Sequence, residues 1–257
     1  MRILFILSVL FFLLLAGACK EETAAPLDLS KDFSYFPLEL DRPTYYRVDS
    51  IVLLSEVGGV RYDTATAEVR ETLVEMFEEP DGTTTYRGER WQRADEASPW
   101  VFSQTYTLRL LEGQALRRED NLTFTKLVFP LRENKRWDGH SFFDETRDLI
   151  IGGEFLDVFN GWEYRYEEVA APIVLATGVS FEESLLVRQA EIDNLIDLRL
   201  ATERYAPGVG LIERTIDARH TQCRNCCNGN TANCINLAWN DKAEKGFILQ
   251  QTFLRQE

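Results

Sequence analysis

Through most of the chain, apolar and polar residues alternate with a period of two. Tyr46, Val48, Ser50 and Val52 fall on one side of a run whose other side is Tyr45, Arg47, Asp49 and Ile51. A two-residue period rich in aromatic and β-branched side chains predicts a strand. From Ala67 to Phe77 the same period places Val69, Leu73 and Phe77 together. The run then meets Glu79-Pro80-Asp81-Gly82, whose Pro and Asp-Gly suit turn dihedrals, and resumes over Thr84 to Arg93 around Tyr86 and Trp91. This predicts a hairpin. Trp100, Phe102, Tyr106, Leu108 and Leu110 line one face of the next strand, with Val101, Ser103, Thr105, Thr107 and Arg109 opposite. Glu112-Gly113 turns the chain, and a strand over Asn121 to Phe129 ends at Pro130.

Residues 131–161 are less regular. Arg132 to Gly139 reads as a polar loop holding Trp137, and Leu149 to Phe155 as a short strand broken by Gly152-Gly153. Alternation returns with Trp162, Tyr164, Tyr166 and Glu168. Ser180 to Glu183 fits a helix capping box, and Phe181, Leu185, Ile192 and Ile196 approximate helical spacing. Ile196, Leu198, Leu200 and Thr202, however, alternate strictly. We read strands over 184–192 and 194–205, with one helix through 181–196 as the rival. Strands over 209–217 and 247–254 complete the chain. Short connections between alternating runs predict an all-β, mainly antiparallel single domain: a curved sheet, a sandwich or a partly open barrel.

The first 22 residues follow a different rule. Met1-Arg2 give a positive end, Ile3 to Leu15 are apolar apart from Ser8, and Ala16-Gly17-Ala18 lead into Cys19. The apolar run is shorter than the roughly 20 residues of a membrane-spanning helix. With its ramp of small residues it predicts a lipoprotein signal peptide over 1–18. A diacylated and N-acylated Cys19 would anchor the chain to a membrane without spanning it. Residues 19–33 then form a lipidated tether, and 34–257 the β-rich domain. Lys20-Glu21-Glu22 resembles the export signal of surface-exposed lipoproteins in Bacteroidota, implying an outer-membrane anchor facing outward.

Charge narrows the partners. Acidic residues number 42 against 28 basic, a net −14 that becomes −15 once residues 1–18 are removed with Arg2. Such a surface repels nucleic acid, so no nucleic-acid partner is expected. A hydrophobic fraction of 45% is enough for a real core.

Tyr35-Phe36-Pro37-Leu38, Tyr46 to Ile51, Phe129-Pro130-Leu131, Trp137-Asp138-Gly139 and Glu203 to Ile212 (with Tyr205-Ala-Pro-Gly-Val-Gly-Leu211) carry a resemblance. They look like a group of uncharacterised Bacteroidota surface lipoproteins of similar length. The shared positions are aromatic, proline and glycine, the marks of a framework, and the resemblance implies a compartment but no activity. Asp41-Arg42 and Tyr45 stand where those proteins tend to have Gly and Trp.

Candidate chemistry is sparse. Cys223, Cys226, Cys227 and Cys234 lie within twelve residues, in a loop over 220–240 rich in Asn and Gly. In an exported chain four such cysteines predict two disulfides. A bond between adjacent Cys226 and Cys227 is strained, which leaves 223–226 with 227–234, or 223–227 with 226–234. A zinc site drawing on these cysteines and His220 is the low-ranking rival, weakened because adjacent cysteines hardly point at one tetrahedral ion. No Gly-x-Ser-x-Gly elbow, His-Glu-x-x-His helix or phosphate-cradling loop occurs. Neighbouring carboxylates on a strand face opposite ways, so a glycoside hydrolase stands as another low-ranking alternative. No cofactor and no metal are expected, and the reading is of a non-catalytic binding or assembly protein. Its partners would be the membrane, through Cys19, and a surface protein or glycan. The aromatic runs Trp100, Phe102, Tyr106 and Trp162, Tyr164, Tyr166 are the candidate ligand face, for an apolar or glycan ligand on a concave sheet.

Overall fold

A computed structural model describes residues 28–111 and 113–257; the expected signal peptide over 1–18 and the expected lipidation site Cys19 lie outside the described residues. A short helix, α1 (Ser30–Phe33), precedes the first strand. The strands are β1 (Thr44–Glu56), β2 (Gly59–Glu78), β3 (Thr84–Arg93), β4 (Val101–Leu111), β5 (Gln114–Glu119), β6 (Leu122–Val128), β7 (Arg136–Trp137), β8 (Leu149–Ile151), β9 (Glu154–Leu156), β10 (Tyr164–Val174), β11 (Ser180–Asp193), β12 (Asp197–Ala206), β13 (Gly210–His220) and β14 (Lys245–Gln256). Twelve of them form one sheet in the order β6-β5-β4-β3-β2-β1-β14-β13-β12-β11-β10-β7, while β8 and β9 form a separate hairpin. All strand ladders among the described residues are antiparallel, and the large sheet is nearly closed into a barrel.

Two meanders, β1 to β6 and β10 to β14, meet where the first strand pairs with the last, from Thr44 opposite Gln256 to Leu53 opposite Gly246. Turn chemistry sets the short connections. Asp120 and Asn121, both left-handed at φ 50° and 61°, join β5 to β6 in the two-residue form that matches strand twist. Backbone and side-chain hydrogen bonds from β7, Gly139 and β10 close the seam at β6. Thr125 N–H donates to Gly139 C=O at 2.9 Å, and the Trp137 indole donates to Thr125 C=O at 2.9 Å. The Tyr166 hydroxyl accepts from Val128 N–H and donates to Val128 C=O, both at 2.8 Å.

The main apolar core gathers Tyr35 and Phe36 from the N-terminal segment, Phe124 and Leu127 of β6, Phe159 and Trp162, Tyr164 and Tyr166 of β10, and Leu185 and Val187 of β11. Residues 131–161, irregular in sequence, supply Phe143, Val158 and Phe159 to this core. The stretch 181–206 is two strands, with Leu185 opposite Tyr205, and not a helix. Asn194 shapes the turn between them by accepting from Ile196 N–H and Asp197 N–H through its side chain. Leu149 to Phe155, expected as one broken strand, is the β8–β9 hairpin, because Gly152 and Gly153 both adopt positive φ.

Candidate functional site: a charged barrel interior beneath an open groove

The alternation that lines the barrel does not stay apolar. On β2, Val69 and Leu73 flank Glu71; on β3 the inward position is Arg90; on β5, Ala115 is followed by Arg117 and Glu119. Lys126 of β6, Glu203 of β12, Arg214 of β13 and Gln251 of β14 complete the set. Arg117 grips Glu71 with two parallel hydrogen bonds of 2.9 Å. Arg90 donates to Glu71 at 2.9 Å and to Gln251 Oε1 at 2.8 Å. Arg117 Nε donates to Glu119 at 2.8 Å, and Arg214 Nη1 lies 3.6 Å from the other oxygen of Glu119. Arg214 Nε and Lys126 Nζ both donate to Glu203 Oε1, at 2.7 and 2.8 Å, and the Tyr205 hydroxyl donates to Oε2 at 2.6 Å.

The result is a chain of alternating sign, Arg90–Glu71–Arg117–Glu119–Arg214–Glu203–Lys126, that begins and ends on a cation. Burial by itself would push these carboxylates toward the neutral form. The flanking guanidinium and ammonium groups overcome it, holding Glu71 and Glu203 down at about 2 and Glu119 well below its ordinary value. None of the three has the raised pKa that a general acid needs. Burial lowers Lys126 despite Glu203 beside it.

The network stands between two spaces. A cavity of about 90 Å³ lies toward Phe36 and Pro37, lined also by Tyr46, Tyr106, Arg117 and Tyr205. On the other side an open groove of about 770 Å³ is walled by Val48, Ala67, Val69, Ile216, Phe247 and Leu249, with Arg90, Glu119, Arg214 and Gln251 also contributing. Arg214 lines both spaces. Two buried donors of the network have no hydrogen-bond partner: Arg214 Nη2 and Gln251 Nε2.

The expected ligand face does not form. Trp162, Tyr164 and Tyr166 are buried core residues, packed with Trp137, His140 and Phe159. A bulge splits the other trio: Arg90 pairs with Gln104, but the next residue, Trp91, pairs with Phe102. Tyr106, opposite Gly88, therefore faces inward and lies under the Arg117 guanidinium at 4.0 Å. Phe102 faces outward against Trp91 and is 48% exposed, while Trp100 is stacked by Arg70 and Arg93. Sequence reading missed the charged interior altogether; its signal was the two-residue spacing of Arg117 and Glu119 next to the left-handed Asp120-Asn121 turn.

The cysteine-rich insert connects β13 to β14. Glu244 ties it down by accepting from the backbone N–H groups of Gln222, Arg224 and Asn225. Cys234 is placed to bond either Cys223 or Cys226, with Cα separations of 5.8 and 6.0 Å, and a sulfur makes only one disulfide. Cys227 is free. Both expected two-disulfide pairings drew on Cys227; of their bonds, 226–234 is one of the two geometries open to Cys234. With Cys227 unpaired, the strained neighbour bond that argued against 223–234 no longer arises. The sulfurs of Cys223, Cys226 and Cys234 lie within 4.8 Å of one another, a set that could hold a soft metal ion only with all three reduced. His220 is engaged elsewhere, its Nδ1 lying 2.8 Å from Asp197.

No family model matches the chain, and no curated protein matches it. Among solved structures, a "putative lipoprotein" from Parabacteroides distasonis ATCC 8503 is similar over 87% of this chain and 98% of its own. The identity is 8% and the TM-score 0.34, a likeness too loose to transfer a site or a role.

Proposed function

We propose that this is a lipid-anchored, non-catalytic binding protein of the outer membrane that holds a small ligand with an apolar body in the groove of its barrel. The groove carries the reading: about 770 Å³ is within the range of small-molecule sites, and its lining mixes apolar side chains, among them Val48, Val69, Ile216, Phe247 and Leu249, with polar ones. The anchor rests on the Ala16-Gly17-Ala18-Cys19 motif and the outward orientation on Lys20-Glu21-Glu22. Titration with the neutral dye 1-aminoanthracene tests the groove. Saturable fluorescence enhancement at one dye per chain is expected, and Leu249→Arg, which places a charge on the groove wall, abolishes it. Non-saturable binding, or an undiminished signal in the variant, would sink the reading. The anchor is tested separately: Cys19→Ser is expected to abolish palmitate labelling and release the chain from membranes.

A further inference from the structure

Resting on that reading, we infer that the groove selects an amphiphile with an anionic head, such as a carboxylate or phosphate, and seats that head on Arg214 and Gln251. Two buried donors without partners carry the assignment. Arg214 is 7% exposed and Gln251 1% exposed, yet Arg214 Nη2 and Gln251 Nε2 make no hydrogen bond within the protein. Leaving a buried donor unsatisfied is costly, so two on paired residues that both line one groove mark a place for an acceptor. Gln251 is oriented for this: its Oε1 is taken by Arg90 at 2.8 Å, which leaves its NH₂ as the free end.

Charge points the same way. The interior network holds four cations, Arg90, Arg117, Lys126 and Arg214, against three carboxylates, Glu71, Glu119 and Glu203. One more anion would balance it. The groove's remaining charges are Arg93, which is paired with Glu68 at 2.5 Å, and Asp120, which is exposed at the β5–β6 turn. The chain as a whole is strongly acidic, so this buried excess of positive charge runs against its surroundings. Around residues as buried as Arg214 and Gln251 the dielectric is low, and a paired charge there counts for more than it does in water. Elsewhere in the same groove, Val69, Ile216, Phe247 and Leu249 offer apolar surface to a tail.

Isothermal titration calorimetry with decanoate, decanol and decylamine separates head from tail. Decanoate is expected to bind at least tenfold more tightly than decanol, and decylamine more weakly than either. In Gln251→Glu the acceptor for Arg90 is kept while the free donor becomes a second anionic oxygen. That variant should bring the decanoate-to-decanol ratio down at least tenfold. A wild-type preference below tenfold, or a Gln251→Glu ratio reduced by less than that, overturns the anionic head while saturable decanol binding leaves the groove reading standing. Failure of all three ligands to bind overturns both.

Discussion

Lys126 Nζ and Glu203 Oε1 are 2.8 Å apart, although β6 and β12 lie at separated positions in the sheet, with β7, β10 and β11 between them even across the seam. The contact spans the barrel interior and ties the first meander to the second. Glu203 also accepts from Arg214 and Tyr205, so it is the branch point, and Lys126 is one branch. Glu203→Gln strands two buried cations and is expected to cost about 3–5 kcal/mol in urea denaturation. Lys126→Met leaves Glu203 with its other two partners and should cost clearly less. Equal losses from the two variants would contradict the branched arrangement.

Acid should undo the network in a defined window. Glu71 and Glu203 sit at about 2 in the fold, below their ordinary 4.5. Carboxylates depressed in this way contribute stability that is fully present above pH 4.5 and is lost as pH falls toward 2. The urea midpoint is therefore expected to drop steeply across that range, and Glu203→Gln should make the drop shallower.

His140 acts at a higher pH. It is buried among Phe124, Phe143, Phe159, Trp162 and Tyr164, and its Nε2 lies 3.2 Å from the Tyr164 hydroxyl. Burial first, and then the charge of Lys126, lower its pKa to about 4. The unfolded chain takes up this proton before the folded one does, so stability present above pH 6.5 declines as pH falls toward 4, by roughly 3 kcal/mol. His140→Phe should flatten the stability profile between pH 6.5 and 4 while leaving the lower, carboxylate-driven drop in place.

Gly88 is required by its neighbour. A Cβ there would stand 2.2 Å from Tyr106 Cζ, so the ring occupies the space that a side chain would fill. Gly88→Ala is expected to cost about 1–3 kcal/mol through overpacking and to change the near-ultraviolet circular dichroism as Tyr106 shifts beneath Arg117. A variant with unchanged stability and spectrum would show that the ring moves freely.

The insert offers a test of connectivity. Cys234→Ser removes the only bridge among the described residues and should lower stability by about 2–4 kcal/mol. Cys227→Ser should cost little, and peptide mapping without reductant should still find Cys234 linked to Cys223 or Cys226. A linkage through Cys227 would refute the arrangement.

Strand positions were largely legible because most runs alternate and end at Pro, Gly or Asp. The two long strands β11 and β12 emerged from the strict period of Ile196 to Thr202, which outweighed the capping box at Ser180. What escaped was β5: residues 114–119 show no apolar alternation, because the inward positions there include Arg117 and Glu119. Pattern reading assigns charge to the outside, and only the fold reveals seven charges paired within, four cations with three carboxylates. The aromatic face failed for a related reason. A one-residue bulge reverses the facing of a strand, and nothing in Trp100 to Tyr106 announces it.

The Tyr166 phenol, which both accepts from and donates to Val128, has a consequence beyond shape. A sheet's outermost strand ordinarily presents a row of backbone groups to which another chain can zip, and crowding makes that hazard worse. Here the outer edge of β6 is occupied from within the same molecule at Thr125 and Val128. Copies packed side by side would find little free backbone there to recruit, so Tyr166→Phe should expose a sticky edge well before it loosens the core.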